Sequence, residues 1–138
     1  MPDWVDGIDV LLEVNIASVW TPLSGEITAR LERRADVRST VNKQTGHYKG
    51  KGYGLLEDVI TLSGHLDAGT KDAALGELQT KRDARQKASV RYVVPNPYDT
   101  YTGSAVVAEL VIEGGAGEDA QVSGRLEIDG VTTVAATT

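Results

Sequence analysis

The chain has 138 residues, a net charge of −6 and a hydrophobic share of 41%, the range of one ordinary folded domain rather than of a disordered or fibrous chain. Cysteine is absent and histidine occurs twice, as His47 and His65, which excludes disulfides, thiolate metal sites and cysteine nucleophiles and disfavours most enzyme classes. No apolar run approaches the roughly 20 residues of a spanning helix, and the opening MPDWVDGID carries acids where a basic segment and an apolar run would mark export, so neither a membrane span nor a secretory signal is expected.

Ile8, Val10, Leu12 and Val14 alternate with Asp9, Leu11 and Glu13, the period of a strand with one buried face. Asn15 to Gly25, with Pro22 and Ser24-Gly25, reads as a turn. Glu26 to Arg34 alternates again, and Asp36 to Val41 either continues that strand or bends away. Asn42 to Gly54 (NKQTGHYKGKGYG) holds four Gly, three Lys and two Tyr, can bury no stripe, and reads as a loop over about 42–54. Loops of that length are uncommon in compact domains unless they are functional or disordered.

Leu55 to Leu66 returns to strand character. Thr70 then suits an N-cap, and Lys71 to Gln86 suits a helix, with Ala74, Leu75 and Leu78 as a narrow apolar stripe. Val90 to Val94 is a strand stopped by Pro95-Asn96-Pro97. Tyr101 to Glu113 is the longest strand, with Val106, Ala108, Leu110 and Ile112 on one face and Val107, Glu109, Val111 and Glu113 on the other. After Gly114-Gly115-Ala116-Gly117, Gln121 to Asp129 places Val122, Leu126 and Ile128 inside and Gln121, Ser123, Arg125, Glu127 and Asp129 outside. Residues 131–138 form a β-prone tail. With no internal repeat and no linker, residues 1–138 read as one domain: mainly β, a β-sandwich or partly open barrel with one flanking helix and a long loop between strands.

Charge is uneven. Seven basic residues from Arg30 to Lys51 stand against Glu32 and Asp36, so this segment holds +5 and the rest of the chain −11. An acidic protein is a poor candidate for wrapping nucleic acid. The basic segment is either a solvated loop or an electrostatic contact for the acidic part of another copy. No arrangement makes a convincing catalytic or metal site. Gly46 to Gly52 falls one residue short of phosphate-loop spacing and has Gly52 where a hydroxyl belongs. Ser63 and His65 share a strand face, and Asp67 completes no nucleophile elbow with them. Adjacent carboxylates at Glu57-Asp58 and Glu118-Asp119 point to opposite faces of an extended chain. No cofactor is expected. An open-edged sheet, however, invites closure by identical copies.

Four stretches, in order, resemble the tail tube (major tail) proteins of long non-contractile phage tails. They are Asp9-Val-Leu-Leu12 after Gly7; Ala29-Arg-Leu-Glu-Arg-Arg-Ala-Asp36; Gly54-Leu-Leu-Glu-Asp-Val-Ile-Thr-Leu-Ser-Gly64 with Asp72-Ala-Ala-Leu75; and Ala108-Glu-Leu-Val-Ile-Glu113 with Glu118-Asp119 and Val122-Ser-Gly-Arg-Leu-Glu127. Where the family often has Trp after the loop, this sequence has Tyr48 and Tyr53. The resemblance implies a structural virion protein with no active site, assembled in the host cytoplasm into hexameric rings stacked as a tube through which DNA passes unread. Its implied partners are further copies of itself, the tape measure, the tail terminator and the distal tail or baseplate proteins. On that reading Arg38, Lys43, His47, Tyr48, Lys49, Lys51 and Tyr53 make contacts between subunits or rings, and Glu109, Glu113 and Glu127 face the lumen. The alternative is a single-copy β-sandwich module recognising a glycan or another partner through Tyr48 and Tyr53.

Overall fold

The structure is a computed structural model and describes residues 10–23, 27–40, 50–66, 72–95, 97–114 and 120–137. In chain order it contains β1 (Leu11–Ile16), β2 (Val19–Pro22), β3 (Ile27–Thr40), β4 (Gly50–His65), α1 (Ala73–Asp83), β5 (Ala88–Val93), β6 (Asp99–Glu113) and β7 (Gln121–Ala136). The strands form one seven-stranded sheet in the order β2-β1-β5-β6-β7-β4-β3, and every pair is antiparallel.

The turn expected over Asn15 to Gly25 is a two-residue hairpin instead. Ala17 and Ser18 take φ values of 48° and 69°, the left-handed pair that matches the twist of flanking strands. Neither residue favours that conformation, so no local signal marked the turn. Pro22 sits in the edge strand β2, where its missing N–H breaks no ladder. The two extended pieces between Glu26 and Val41 are one strand, β3. Its partner β4 begins at Gly50, inside the segment expected to be a loop, because Val37, Arg38, Ser39 and Thr40 pair with Tyr53, Gly52, Lys51 and Gly50. The register slips where Gly54 and Leu55 together face Asp36. A Cβ on Gly54 would stand 3.0 Å from Asp36 Cβ and 3.3 Å from its carbonyl oxygen, which accounts for glycine at the bulge.

The sheet curls. Tyr92 Oη on β5 donates to the Ala29 carbonyl oxygen on β3 at 3.1 Å, although three strands separate the two in the sheet order. Burial pushes the Tyr92 hydroxyl above the ordinary phenol range. Of the two architectures open at the sequence level, a single hydrogen-bonded sheet curled on itself is the partly open barrel. Its interior is aliphatic: Leu12 and Val14 of β1, Val90 of β5, Val107 of β6, Leu126 of β7 and Ile60 and Leu62 of β4 are all buried together. Helix α1 adds Ala74, Leu75 and Leu78 to the same cluster.

The helix is shorter than the span 71–86, and its N-cap is Asp72, whose Oδ1 accepts from Ala74 N at 3.0 Å and Leu75 N at 3.2 Å. Thr70, the expected cap, lies outside the described residues. Arg85 closes the helix with φ 58° in the position glycine usually takes, and Gln86 N reaches back to the Lys81 carbonyl at 2.8 Å. The C-terminal tail does pair: β7 stays on β6 as far as Ala136, and Thr137 Oγ1 donates to the Val94 carbonyl at 2.7 Å.

The inside and outside of β7 are as its alternation indicates, with Val122 and Leu126 buried and Gln121, Ser123 and Arg125 exposed. The faces of β6 need correction. Ala105 and Val107 point inward and Val106 and Ala108 are exposed, so the row Val106-Ala108-Leu110 does not share one face. The register shifts between Val107 and Glu109, and only past that bulge does Leu110 pack on the core. Gly124 lies against it, since a Cβ there would be 2.9 Å from the Glu109 carbonyl oxygen.

Candidate assembly interface

β7 pairs with β4 only over Val59–His65. Beyond that the ends of β3 and β4 run on as a two-stranded arm with no further strand beside them among the described residues. Cross-strand pairing sets its faces: Ala35 faces Leu56, Val37 faces Tyr53 and Ser39 faces Lys51, all on the side continuous with the barrel interior. Arg38, opposite Gly52, is on the other side. The interior side is apolar and open, with Val37 62%, Tyr53 81% and Leu56 73% exposed. At the base of the arm Tyr53 and Leu56 line a cleft together with Val131, 89% exposed, Arg33 and Thr132. An isolated two-stranded ribbon is marginal in water, and contiguous exposed apolar surface marks an interaction site.

The expected contact residues divide accordingly. Lys51 and Tyr53 share the apolar side of the arm, Arg38 lies opposite, and Lys43, His47, Tyr48 and Lys49 lie outside the described residues. Lys51 and Tyr53 belong to a strand, not to a loop. Among the described residues, Arg38 and Lys51 have no ion pair within the chain. The other described basic residues of the segment, Arg30, Arg33 and Arg34, do. On the outward side of β3, Arg30 and Arg34 both donate to Glu32. Arg34 first, and Arg30 second, hold the Glu32 carboxyl below its usual range, and Glu32 in turn raises Arg34. On the inward side Arg33 Nε donates to Asp58 Oδ1 at 3.3 Å and its guanidinium lies over the Tyr101 ring at 5.4 Å, while Thr132 Oγ1 donates to the other oxygen of Asp58.

The Arg-x-Glu-x-Arg spacing on an alternating strand is a signal by which the Glu32 cluster was findable. A second cluster had none. Arg91 on β5 donates through Nε to Glu13 Oε1 on β1 and stacks on Trp20 of β2 at 4.6 Å.

Glu109, Glu113 and Glu127 all lie on the outward face of the sheet, where Glu109 opposes Arg125, Glu113 opposes Gln121 and Glu127 opposes Val106 and Val59. At one end of this face His65, Gln121 and Glu113 stand in a row across β4, β7 and β6, rimming a shallow hollow that includes Ser63, Val111 and Ser123. None of this is catalytic geometry. Ser63 and His65 lie on one strand, Asp67 lies outside the described residues, and Gly50 to Gly52 is strand where a phosphate loop would lead into a helix. Glu57 and Asp58 alternate to opposite faces, and Asp58 is taken by Arg33 and Thr132. Among the described residues no three His, Cys, Asp or Glu side chains group as metal ligands.

The model of the family described as phage tail tube protein matches residues 5–134. The chain belongs to the phage tail tube protein family. It is therefore a structural component of a virion tail and not an enzyme. Solved structures share the fold. The tail of an empty gene transfer agent particle, refined with C6 symmetry, superposes with TM-score 0.82 at 12% identity, covering 95% of this chain and 98% of that one. The SPP1 tail tube gives TM-score 0.72 at 15% identity, covering 97% of this chain and 80% of that one. The anti-feeding prophage baseplate, 6-fold symmetrised, gives TM-score 0.66 at 14% identity, covering 99% and 98%. No curated protein matches the sequence.

Proposed function

We propose that this tail tube protein assembles into hexameric rings that stack into a tube, and that DNA passes through the tube during infection. The observation that carries the reading is the arm: an apolar two-stranded extension that the subunit itself leaves uncovered. The C6 symmetry of the similar gene transfer agent tail supports six copies per ring. The sheet also ends in two single-partner strands, β2 and β3, whose outer N–H and C=O groups suit edge contacts between neighbours.

In this assembly Arg38, Lys51 and Tyr53, with Lys43, His47, Tyr48 and Lys49, make contacts between subunits or rings. Glu109, Glu113 and Glu127 line the lumen, which suits a wall along which DNA phosphates slide and do not adhere. Assembly occurs in the host cytoplasm, with tape measure, tail terminator and distal tail proteins at the tube's axis and ends. A single-copy recognition module is not favoured: Tyr53 stands on the apolar side of the arm with Val37 and Leu56, a surface that suits burial against another chain. Electron microscopy of the concentrated protein tests the reading. Six-fold end views and tubes are expected, and a strict monomer under every condition would refute it.

A further inference from the structure

We propose that Glu32 masks an anion-binding pair: Arg30 and Arg34, if released, grip the phosphates of a nucleic-acid backbone, and the Glu32 carboxylate occupies both so that DNA passes this face unheld. The inference rests on the tube reading, with this face toward the lumen, and deepens it by naming the residue that keeps the wall from adhering.

Arg30, Glu32 and Arg34 alternate along β3 and share its outward face, the face that also bears Glu109, Glu113 and Glu127. One carboxylate serves two guanidiniums. Oε1 accepts from Arg30 Nη2, and Oε2 accepts from Arg34 Nε at 3.0 Å and from Arg34 Nη2. Arg34 first and Arg30 second hold the Glu32 carboxyl below its usual range, so it stays ionised at neutral pH. The cations are the exposed members of the cluster: 74% of the Arg30 side chain and 57% of the Arg34 side chain are open to solvent, against 22% of Glu32. Guanidiniums recognise phosphate and carboxylate with the same fork of N–H donors, so a carboxylate set between two of them fills in advance the donors that a phosphate needs.

The neighbouring rows follow the same rule. Across the ladder from Arg30 lie Thr61, Arg125 and Glu109 in turn, so Arg125 too has a glutamate directly opposite. The two arginines held by Glu32 are not equally committed to it. Arg34 opposes Glu57, a second acid that raises its affinity for a proton, whereas Arg30 opposes Thr61. Removing the Glu32 charge therefore releases Arg30 fully and Arg34 in part.

Binding of a short labelled duplex DNA to dilute subunits, followed by fluorescence anisotropy over a salt series, tests the mask. Glu32→Gln keeps the side-chain shape and removes the charge. It is expected to bind the duplex more tightly than the unaltered chain, with a log–log salt slope steeper by about 1–2, from about 0.9 for each arginine–phosphate contact. Its affinity should accordingly fall about 3- to 12-fold more between about 50 and 200 mM salt. Glu77→Gln makes the same change of charge on α1 and serves as the reference for charge alone. Adding Arg30→Gln and Arg34→Gln to Glu32→Gln should remove the gain. In the unaltered chain, replacing both arginines should cost no more affinity than Lys81→Gln with Arg82→Gln on α1, because the pair is already occupied; this arm does not depend on the folding of any Glu32 variant. Affinity of folded Glu32→Gln no greater than that of Glu77→Gln, or a larger loss when the two arginines are replaced in the unaltered chain, overturns the mask. Failure of the unaltered chain to form any ring or tube in electron microscopy would instead overturn the tube reading and leave the DNA result standing.

Discussion

Replacing Tyr53 and Leu56 together by serine should abolish assembly at ordinary concentrations while leaving the subunit folded. The magnitude follows from exposure. Fully burying a side chain of this size contributes about 1.5–3 kcal/mol. Tyr53 and Leu56 retain 81% and 73% of their surface in the lone subunit, so nearly all of that contribution is still unused. Each then contributes about 1–2 kcal/mol to a contact between copies, and the pair about 2–4 kcal/mol per arm. At tenfold per 1.4 kcal/mol, the concentration at which tubes appear should rise roughly 30- to 700-fold. Exposed substitutions of this kind change folding stability by about 0.5 kcal/mol or less each. Sedimentation across a dilution series gives the threshold, and thermal melting of the dilute protein gives the stability. An unchanged threshold would show that the arm's apolar side is not a contact surface. A large fall in melting temperature would show that the subunit already uses it.

Tyr92→Phe removes the hydroxyl that ties β5 to β3 at 3.1 Å and should cost about 0.5–1.5 kcal/mol, read by calorimetry as a lower melting temperature. The pH dependence has a definite sign: the folded Tyr92 hydroxyl is raised above its unfolded value, so the associated stability is present below about pH 10 and is lost as pH rises through the folded value. Alkaline melts should therefore fall more steeply for the unaltered chain than for Tyr92→Phe. Asp72→Ala removes the N-cap of α1 and should cost about 1 kcal/mol, with faster amide exchange at Ala74 and Leu75 as the local readout. Gly124→Ala forces a Cβ to within 2.9 Å of the Glu109 carbonyl oxygen and should destabilise by about 1–3 kcal/mol in a urea titration.

What the sequence made legible follows from how local its causes are. On β7, strict alternation of Val122, Leu126 and Ile128 with polar residues indicated the buried face because no bulge interrupts Gln121 to Arg125 on the β4 side. On β6 the same method failed, since the bulge before Glu109 exchanges the faces in the middle of an apolar run where Val106 and Ala108 look as suitable for burial as Val107. The nearest warning was across the ladder, in Gly124, a glycine within a strand where a neighbouring backbone comes close. Ala17-Ser18 carried no turn signal at all. The site shows the same division. The Arg and Lys excess was visible, but which of those cations are committed within the subunit depends on faces: Arg30 and Arg34 to Glu32, and Arg33 to Asp58.

The arm shows why a segment poor in strand formers is nonetheless strand. Gly50, Gly52 and Gly54 contribute no side chain to a sheet, so residues 50–54 judged alone read as loop. Their partners Val37, Ser39 and Thr40 accept an extended conformation, and the glycines are placed where Arg38, Asp36 and Thr40 lie opposite. Glycine there removes bulk from the side bearing Arg38 and leaves Tyr53 and Leu56 on the other. Such a ribbon is poorly stabilised by itself and gains most from a surface that covers one side only. Weak intrinsic strand propensity and a single apolar side therefore have the same physical consequence in the proposed assembly: the arm would reach its full stability on another copy, and its order would be tied to assembly.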